Sequence, residues 1–297
     1  MTRRHYIAFT FATLVLSACV SSSSTPGLPL PSPGTQAEPS VIASQEARAV
    51  KAWRFVPSPD SHSYSSLTTT VITANESPTA RHDSSTTQLT YSIVTRQSLD
   101  TVSFSGLITE FTLRGQTAQP NEFKPLLPIR FTGRIFNHTV DTELSGSAHS
   151  IDANGCVNPS QSVLMGVQRN LFFIPIEVKT EERWTDSTSS VVCSGMLPTS
   201  LTIVRSFQVK GESDFNNIPA LVLDLNERTF SKGEGSQEQH SILTETQGVT
   251  TGRIYIDRVS GQILTTNLTN KTSLSIHSSG RVQKFTQISN QVIRFIY

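Results

Sequence analysis

Residues 252–270, GRIYIDRVSGQILTTNLTN, predict two antiparallel strands joined by a short turn. Ile254 and Ile256 alternate with other residues, so their side chains share one face of the first strand. Asp257 follows that strand and is placed to hydrogen-bond the backbone of the turn, while Gly261 supplies the positive φ angle that such a turn needs. The stretch therefore predicts a β-hairpin with one apolar face.

The same alternation of apolar and polar residues recurs along most of the chain. It is clearest in five stretches, at 63–74, 86–97, 101–115, 200–211 and 219–230. Serine and threonine fill many of the polar positions, and threonine in particular favours strands over helices. Only residues 45–53, QEARAVKAW, suggest a helix. We therefore predict an all-β fold of antiparallel, strongly curved sheets, arranged as a half-barrel or a sandwich.

A transmembrane β-barrel is the alternative fold with the same ingredients. The predicted strands differ in length and show no aromatic girdle at a fixed height, and aromatic residues make up only 7% of the chain. These features disfavour a barrel that faces lipid.

A short repeat divides the predicted β body. The pentapeptide TGRIF at 132–136 returns as TGRIY at 251–255, which raises the hypothesis of two similar halves. We divide the body into an N-terminal β region, residues 45–155, and a C-terminal β region, residues 156–297, which form either one domain or two. Between the copies, LFFIP at 171–175 interrupts the alternation, and such an apolar run is expected to pack across a sheet or to connect two layers.

The first 18 residues have the features of a signal peptide. Arg3 and Arg4 make a positive start, and residues 7–16 form an apolar stretch of about ten residues, too short to span a bilayer. The sequence LSAC that ends at Cys19 resembles the lipobox of bacterial lipoproteins, whose cysteine is acylated and becomes the new N-terminus. The resemblance implies lipidation of Cys19, and the alternative is an ordinary secretory signal with an incidental cysteine.

Lipidation would hold the protein at a membrane, because two or more acyl chains anchor a protein stably whereas one binds weakly. The lipobox resemblance favours the outer membrane, facing the periplasm, where the organism has one, because Val20 rather than aspartate follows the cysteine. Residues 19–44 are rich in serine, proline and glycine and predict a disordered tether. A flexible chain of this length spans roughly 25–30 Å, so the β body can stand clear of the lipid.

Two further cysteines, Cys156 and Cys193, lie in the predicted β body. In an exported protein such a pair most simply forms a disulfide. A metal or catalytic role is the alternative, but the sequence places no Cys-x-x-Cys spacing and no partner histidine around them. We therefore predict a disulfide between Cys156 and Cys193.

The sequence offers no catalytic or metal-binding motif. Its seven histidines follow no metal-ligand spacing, and the serine-hydrolase, phosphate-loop and dinucleotide-binding patterns do not occur. Charged residues make up 16% of the chain and the net charge is +1, with no basic run to attract nucleic acid. We expect a protein that is not an enzyme, with no catalytic residue, metal, cofactor or nucleic-acid partner.

Two functions fit such a protein. The first is the binding of a lipid or another apolar or amphipathic ligand on the concave face of the sheet. The residues expected to line that face are Leu221, Leu223, Leu225, Ile254, Ile256 and Trp184. The alternative role for these residues is an ordinary covered core. The second function is that of a structural or interaction subunit, which pairs through a sheet edge or surface with another envelope protein.

Several segments of the second half resemble a family of uncharacterised bacterial envelope lipoproteins. They are RWTDS (183–187), FQVKGESDFNNIPALVL (207–223), GEGSQEQH (233–240), TTGRIYIDRVSGQIL (250–264) and KFTQISNQVIRFI (284–296). The resemblance covers roughly residues 131–297. It implies an all-β body and brings no established activity with it.

Overall fold

The computed structural model describes residues 50–75, 82–98, 101–115, 125–144, 159–194, 197–237 and 240–296. Within these ranges the chain forms thirteen strands and one helix. The first six strands are β1 (Ala52–Arg54), β2 (Ser61–Ala74), β3 (His82–Ser98), β4 (Thr101–Gly115), β5 (Ile129–Phe136) and β6 (Thr139–Leu144). They are followed by helix α1 (Pro159–Gln168), β7 (Glu177–Lys179), β8 (Arg183–Ser194), β9 (Leu197–Phe215), β10 (Ile218–Gln237), β11 (His240–Asp257), β12 (Ile263–Ser278) and β13 (Arg281–Ile296).

Eleven of the strands form a closed barrel. They follow one another around it in the order β2, β3, β4, β5, β6, β8, β9, β10, β11, β12 and β13, and β13 pairs with β2 to close the ring. Neighbouring strands are antiparallel except β6 and β8, which meet through a single parallel pair, Thr139 with Ser187. The all-β prediction is confirmed, and the curved sheet closes completely, so that strands from both sides of residue 155 belong to one barrel.

The hairpin predicted from residues 252–270 is present as β11 and β12. The Oδ1 atom of Asp257 accepts hydrogen bonds from the backbone N–H groups of Val259 (3.0 Å) and Ser260 (2.6 Å). Gly261 has a φ angle of 72° and donates its N–H to the carbonyl oxygen of Asp257 at 2.9 Å. The turn therefore has the side-chain cap and the left-handed glycine that the sequence predicts.

A segment that we call the plug, residues 159–176, fills the bore of the barrel. Its residues Val163, Leu164, Val167 and Leu171 pack in one apolar cluster with side chains of β2 to β6. Phe172 packs in a second cluster with side chains of β8 to β12. Because the plug contacts both walls, the LFFIP run crosses the inner surface of the sheet, as the break in alternation predicted.

The one helix predicted from sequence is not the helix observed. The sequence predicts a helix over 45–53, but Ala52 and Trp53 lie in β1 and pair with Lys179 and Val178 of β7. This part of the helix prediction is wrong, because strand pairing and the burial of Trp53 outweigh a weak local propensity. Residues 45–49 lie outside the described part of the chain. None of the described helical structure is long and apolar enough to cross a membrane.

β1 and β7 form a separate two-stranded sheet at one end of the barrel, which we call the capped end. The chain after β1 is tied to this end by two backbone hydrogen bonds, from Phe55 N–H to the carbonyl of Ile176 (2.7 Å) and from Val56 N–H to the carbonyl of Val259 (2.8 Å). Val259 belongs to the turn between β11 and β12, so the cap contacts both the plug and the barrel rim.

The outer face of the barrel is mostly polar along the described strands β8 to β12, with Val191, Val204 and Phe230 as exposed apolar exceptions. Arg228 and Lys271 lie near the middle of β10 and β12 and are exposed. Nearer the capped end, Asp224 forms outward ion pairs with Lys210 (3.4 Å) and Arg253 (3.6 Å). An arginine or lysine in the middle of a lipid-facing surface costs about 2–4 kcal/mol, so this face is suited to water.

The glycines of the repeated pentapeptide occupy equivalent packing positions. An added Cβ at Gly133 would overlap the Phe104 ring, and one at Gly252 would overlap the Leu268 side chain and the backbone carbonyl of Asn267. Each glycine therefore leaves room for a large side chain of the neighbouring strand. This similarity is limited to Gly133 and Gly252, and the hypothesis of two similar halves stays a prediction.

Candidate functional site at the capped end

A cleft opens at the capped end between the plug and the wall made by β2 to β5. It encloses about 150 Å³ of free space. The wall contributes apolar and aromatic side chains, among them Tyr64, Tyr91, Ile93, Val102, Phe104 and Ile135. The plug contributes Leu171, Phe172 and Ile174, and the rim is completed by Phe55 and by the turn before β12.

An aromatic group forms one side of the cleft. Tyr64 and Tyr91, paired across β2 and β3, stack with ring centroids 5.4 Å apart. Phe295 meets Tyr64 edge to face at 5.9 Å. Paired aromatic rings of this kind provide a rigid apolar wall.

Two amide groups add hydrogen-bond donors to this apolar cleft. Asn170, which is 2% exposed, accepts a hydrogen bond from Gln291 (3.0 Å) through its Oδ1 atom, but its buried Nδ2 atom has no hydrogen-bond partner. The Nε2 atom of Gln262 is likewise buried without a partner. Both residues line the cleft. Because buried amide donors are nearly always paired, two unpaired donors in one cleft are unusual.

The two tyrosines beside these amides remain neutral. Burial raises the pKa of Tyr64 above its ordinary value, and hydrogen bonding from the Gln262 side chain opposes this only in part. Burial also raises the pKa of Tyr91, with a further contribution from Tyr64, and hydrogen bonding from the Asn170 side chain opposes it. In both cases the contact lacks the geometry of a full hydrogen bond. His62 is the one titratable residue besides the tyrosines among the side chains that line the cleft, and no lysine, arginine, aspartate or glutamate does so.

A buried ionic cluster fixes the plug next to the cleft. Arg205 of β9 is fully buried and pairs with Asp186 (3.2 Å) and Glu227 (3.0 Å). Arg169 of the plug also pairs with Glu227, at 3.1 Å. Burial by itself would raise the pKa of Glu227, but the charges of Arg169 and Arg205 and a hydrogen bond from Thr250 hold it below its ordinary value. The cluster contains two cations and two anions, so its charges balance.

The cap is held to the barrel by a second polar group at the surface. Glu212 of β9 accepts hydrogen bonds from Lys51 (2.6 Å), from the indole N–H of Trp53 (2.8 Å) and from Arg258 (2.9 Å). These three partners, in that order of importance, lower the pKa of Glu212 to about 2. The carboxylate therefore joins β1 to β9 and to the turn after β11.

The residues predicted from sequence to bind ligand do come together, but behind the plug. Leu221, Leu223, Leu225, Ile254 and Ile256 face the interior, are at most 3% exposed, and pack with Phe172. Trp184 stacks on Phe207 with centroids 5.2 Å apart and donates its indole N–H to the carbonyl oxygen of Phe173 (2.8 Å). Leu221, Leu223, Ile254 and Ile256 belong to a filled core, whereas Trp184 and Leu225 also line a second pocket of about 730 Å³ formed by β8, β9, β10 and β11. The capped-end cleft lies across the plug from all six residues.

The predicted covalent sites fall largely outside the described residues. Cys19 and Cys156 lie beyond the ranges that the structure describes, and of Cys193 only its backbone position in β8 is defined. Lipidation and the Cys156–Cys193 disulfide therefore stay predictions. In the described ranges, no group of three or more histidine, cysteine, aspartate or glutamate side chains is placed to hold a metal ion.

The fold and the cleft define an all-β protein with a closed barrel and an internal plug. No family model matches the chain, and no curated protein matches it significantly. Among solved structures, the chain is similar to OccK8 (OprE) of Pseudomonas aeruginosa at 7% sequence identity, over 80% of this chain and 99% of that chain, with a TM-score of 0.20. A TM-score this low does not establish a shared fold, so the likeness carries no functional argument.

Proposed function

We propose that this protein is a lipid-anchored envelope lipoprotein, without enzymatic activity, whose barrel binds a small apolar or amphipathic ligand in the capped-end cleft. The observation that carries the proposal is the cleft itself, which combines an apolar, aromatic lining with the unpaired amide donors of Asn170 and Gln262. Ligand sites in proteins commonly pair a mostly apolar lining with a few converging polar groups.

The anchor and the tether complete the proposal. Acylated Cys19 would hold the chain at the outer membrane, facing the periplasm, and residues 19–44 would let the barrel reach beyond the lipid headgroups. Support comes from the mostly polar outer face of β8 to β12, which suits contact with water, and from the position of the first described residues. These residues, 50–56, lie at the capped end, where the cleft opens.

The rim of the cleft supports entry of an apolar ligand at this end. Val56 and Val259 flank the opening and are 71% and 65% exposed, and Ile176, which lines the cleft, is 37% exposed. Exposed aliphatic side chains beside an apolar cleft extend the surface on which an apolar molecule can first bind. No lysine, arginine, aspartate or glutamate lines the cleft among the described residues, so an entering ligand does not have to displace one.

The proposal is tested by titrating the full chain carrying Cys19→Ser with n-butylbenzene, using calorimetry. We expect saturable binding that Val102→Phe abolishes, because Val102 lines the cleft and the larger ring fills it. Val94→Phe is the matched control, since it adds the same ring to the neighbouring strand on the opposite face from Ile93. Absence of binding, or equal binding by both variants, would reject the cleft as the site.

An apolar stripe on the outer surface favours a second candidate function, that of an interaction subunit. Val71 pairs with Ile288, and Leu67 pairs with Val292, across β2 and β13. Val71 is 41% exposed, Ile288 is 45% exposed and Leu67 is 46% exposed. A photo-crosslinker at position 288 would trap a partner protein in intact cells under this hypothesis. A crosslinker at Asn226, exposed on β10, serves as the control.

A further inference from the structure

We propose that the ligand of the capped-end cleft is a neutral molecule that carries a hydrogen-bond-accepting oxygen, such as the carbonyl of an ester or ketone, on a short alkyl or aryl group. This inference rests on the proposed function and specifies its ligand. It is drawn from the polar atoms of the cleft, from the charges near them and from the size of the free space.

The first step concerns the donor of Asn170. Its Oδ1 atom is already used by Gln291, so the residue is fixed with Nδ2 as its free end. The residue is 2% exposed and lines the cleft. A buried donor without a partner is costly, and an acceptor oxygen on a bound molecule would remove that cost.

The second step is that a second donor lies in the same cleft, on a different part of the fold. Gln262 precedes β12, whereas Asn170 belongs to the plug, and each contributes a buried amide nitrogen without a partner. Each amide also interacts with the oxygen of one tyrosine of the stacked pair, Gln262 with Tyr64 and Asn170 with Tyr91, but without the geometry of a full hydrogen bond, so a bound acceptor would compete with that oxygen for the donor. The cleft therefore presents amide donors at two points next to the aromatic wall.

The third step excludes a charged ligand. Among the described residues that line the cleft there is no lysine or arginine to pair with a carboxylate or a phosphate, and no aspartate or glutamate to pair with an amine. The charges of Arg169, Arg205, Asp186 and Glu227 are already paired within their own cluster. His62 is the one lining side chain that could pair with an anion, and no other lining side chain would compensate an ion for its lost hydration, so a neutral acceptor is favoured.

The fourth step limits the size of the group that enters. A cavity of about 150 Å³ lined by aliphatic and aromatic side chains accommodates a molecule of the size of benzene, and the cleft has this volume. The part that binds is therefore one ring or a short chain. A longer ligand would extend out of the mouth past Ile176.

The test compares three compounds of matched size on the full chain carrying Cys19→Ser: butyrophenone, n-butylbenzene and 4-phenylbutyrate. Calorimetry should give the ketone a dissociation constant roughly five- to tenfold lower than that of the hydrocarbon, the gain expected from one good hydrogen bond. The carboxylate should bind at least about tenfold more weakly than the ketone. Asn170→Leu and Gln262→Met should each reduce the ketone's advantage, and a Gln88→Met control, exposed on β3 outside the cleft lining, should preserve it.

The outcomes separate this inference from the proposed function. Equal affinity for the ketone and the hydrocarbon would overturn the inference and leave the apolar site standing. Tighter binding of the carboxylate would overturn the neutral-ligand inference in the same way. Failure of all three compounds to bind would reject both proposals, and an advantage for the ketone that survives in both amide variants would show that these donors do not recognise it.

Discussion

The guanidinium of Arg205 donates a hydrogen bond to the carbonyl oxygen of Leu171, 3.0 Å away, and thereby ties the barrel wall to the plug. The same guanidinium lies over the ring of Phe172, 5.1 Å from its centroid, and pairs with Asp186 and Glu227. Asp186 in turn accepts the backbone N–H of Phe173 at 2.8 Å. One buried cation therefore sets the path of the residues that form one side of the cleft.

Replacing Arg205 by alanine should reduce the free energy of unfolding by about 3–5 kcal/mol, because it leaves the buried carboxyl of Asp186 without its cation and Glu227 with Arg169 alone. Urea unfolding monitored by tryptophan fluorescence measures this. The matched control is Arg228→Ala, which removes an exposed arginine from the adjacent strand and should change the free energy by about 0.5 kcal/mol or less. Similar losses in the two variants would contradict the role assigned to the cluster.

Acid should weaken the attachment of the cap through Glu212. The folded protein holds the pKa of this carboxyl at about 2, against an ordinary value of 4.5, so its ionised form is favoured in the folded state. The resulting stabilisation is complete above the ordinary pKa and is lost as the pH falls from about 5 through about 2. The difference in free energy of unfolding between wild type and Glu212→Gln should therefore shrink over this range.

Trp53→Phe provides the companion measurement for the cap. It keeps an aromatic ring in β1 but removes the indole donor to Glu212. The variant should lose part of the acid dependence that wild type shows. The free energy of unfolding of wild type minus that of Glu212→Gln should change between about pH 5 and pH 2. A difference that stays constant over this range would contradict the proposed attachment.

Two glycines should respond to alanine in opposite ways. Gly166 lies in α1, where an added Cβ meets only the Leu89 side chain at 3.6 Å, so Gly166→Ala should raise the free energy of unfolding by about 0.5–1 kcal/mol. At Gly252 the added Cβ overlaps the backbone of β12, so Gly252→Ala should lower the free energy of unfolding by about 1–3 kcal/mol. Thermal unfolding of both variants checks the packing of the plug and of β11 together.

Lipidation of Cys19 is tested by fractionation. Cys19→Ser should move the protein from the membrane fraction to the soluble fraction, because acyl chains are the expected anchor. A variant that still sediments with membranes after carbonate washing would show that another part of the chain binds lipid.

The disulfide is tested by peptide mapping without reduction. Cys156 and Cys193 should appear in one cross-linked peptide pair from the exported protein. Free thiols at both positions would exclude the bond. The result also bears on the chain between Gly155 and α1, which such a bond would fasten to β8.

The sequence predicts the strands and their inward faces well, because alternation is a local property. Leu221, Leu223 and Ile254 are assigned to one apolar face from their spacing alone, and all three are fully buried. The closure of the barrel cannot be predicted in this way, since β13 pairs with β2 across more than 200 residues, as Ile288 with Val71 shows. Pairing at that distance depends on the whole sheet rather than on a local pattern.

The plug and the cleft were missed for a related reason. The α1 sequence, PSQSVLMGVQ, has no acidic residue in its first turn and an internal glycine, so its helix is favoured by burial inside the barrel rather than by propensity. The cleft residues lie on six strands, on the plug and on two connecting segments, and only the folded chain brings Tyr91 and Asn170 together. One inward-facing tyrosine on each of β2 and β3, Tyr64 and Tyr91, was the available signal.

The most direct test of the central claim is native mass spectrometry of the mature chain, extracted from its own membranes in mild detergent. Wild type and Val94→Phe are predicted to retain a small neutral molecule, seen as added mass that is released on collisional activation, whereas Val102→Phe is predicted to lack it. The bare mass of the acylated polypeptide in all three samples, or a bound molecule that persists in Val102→Phe, would contradict a ligand site in the capped-end cleft.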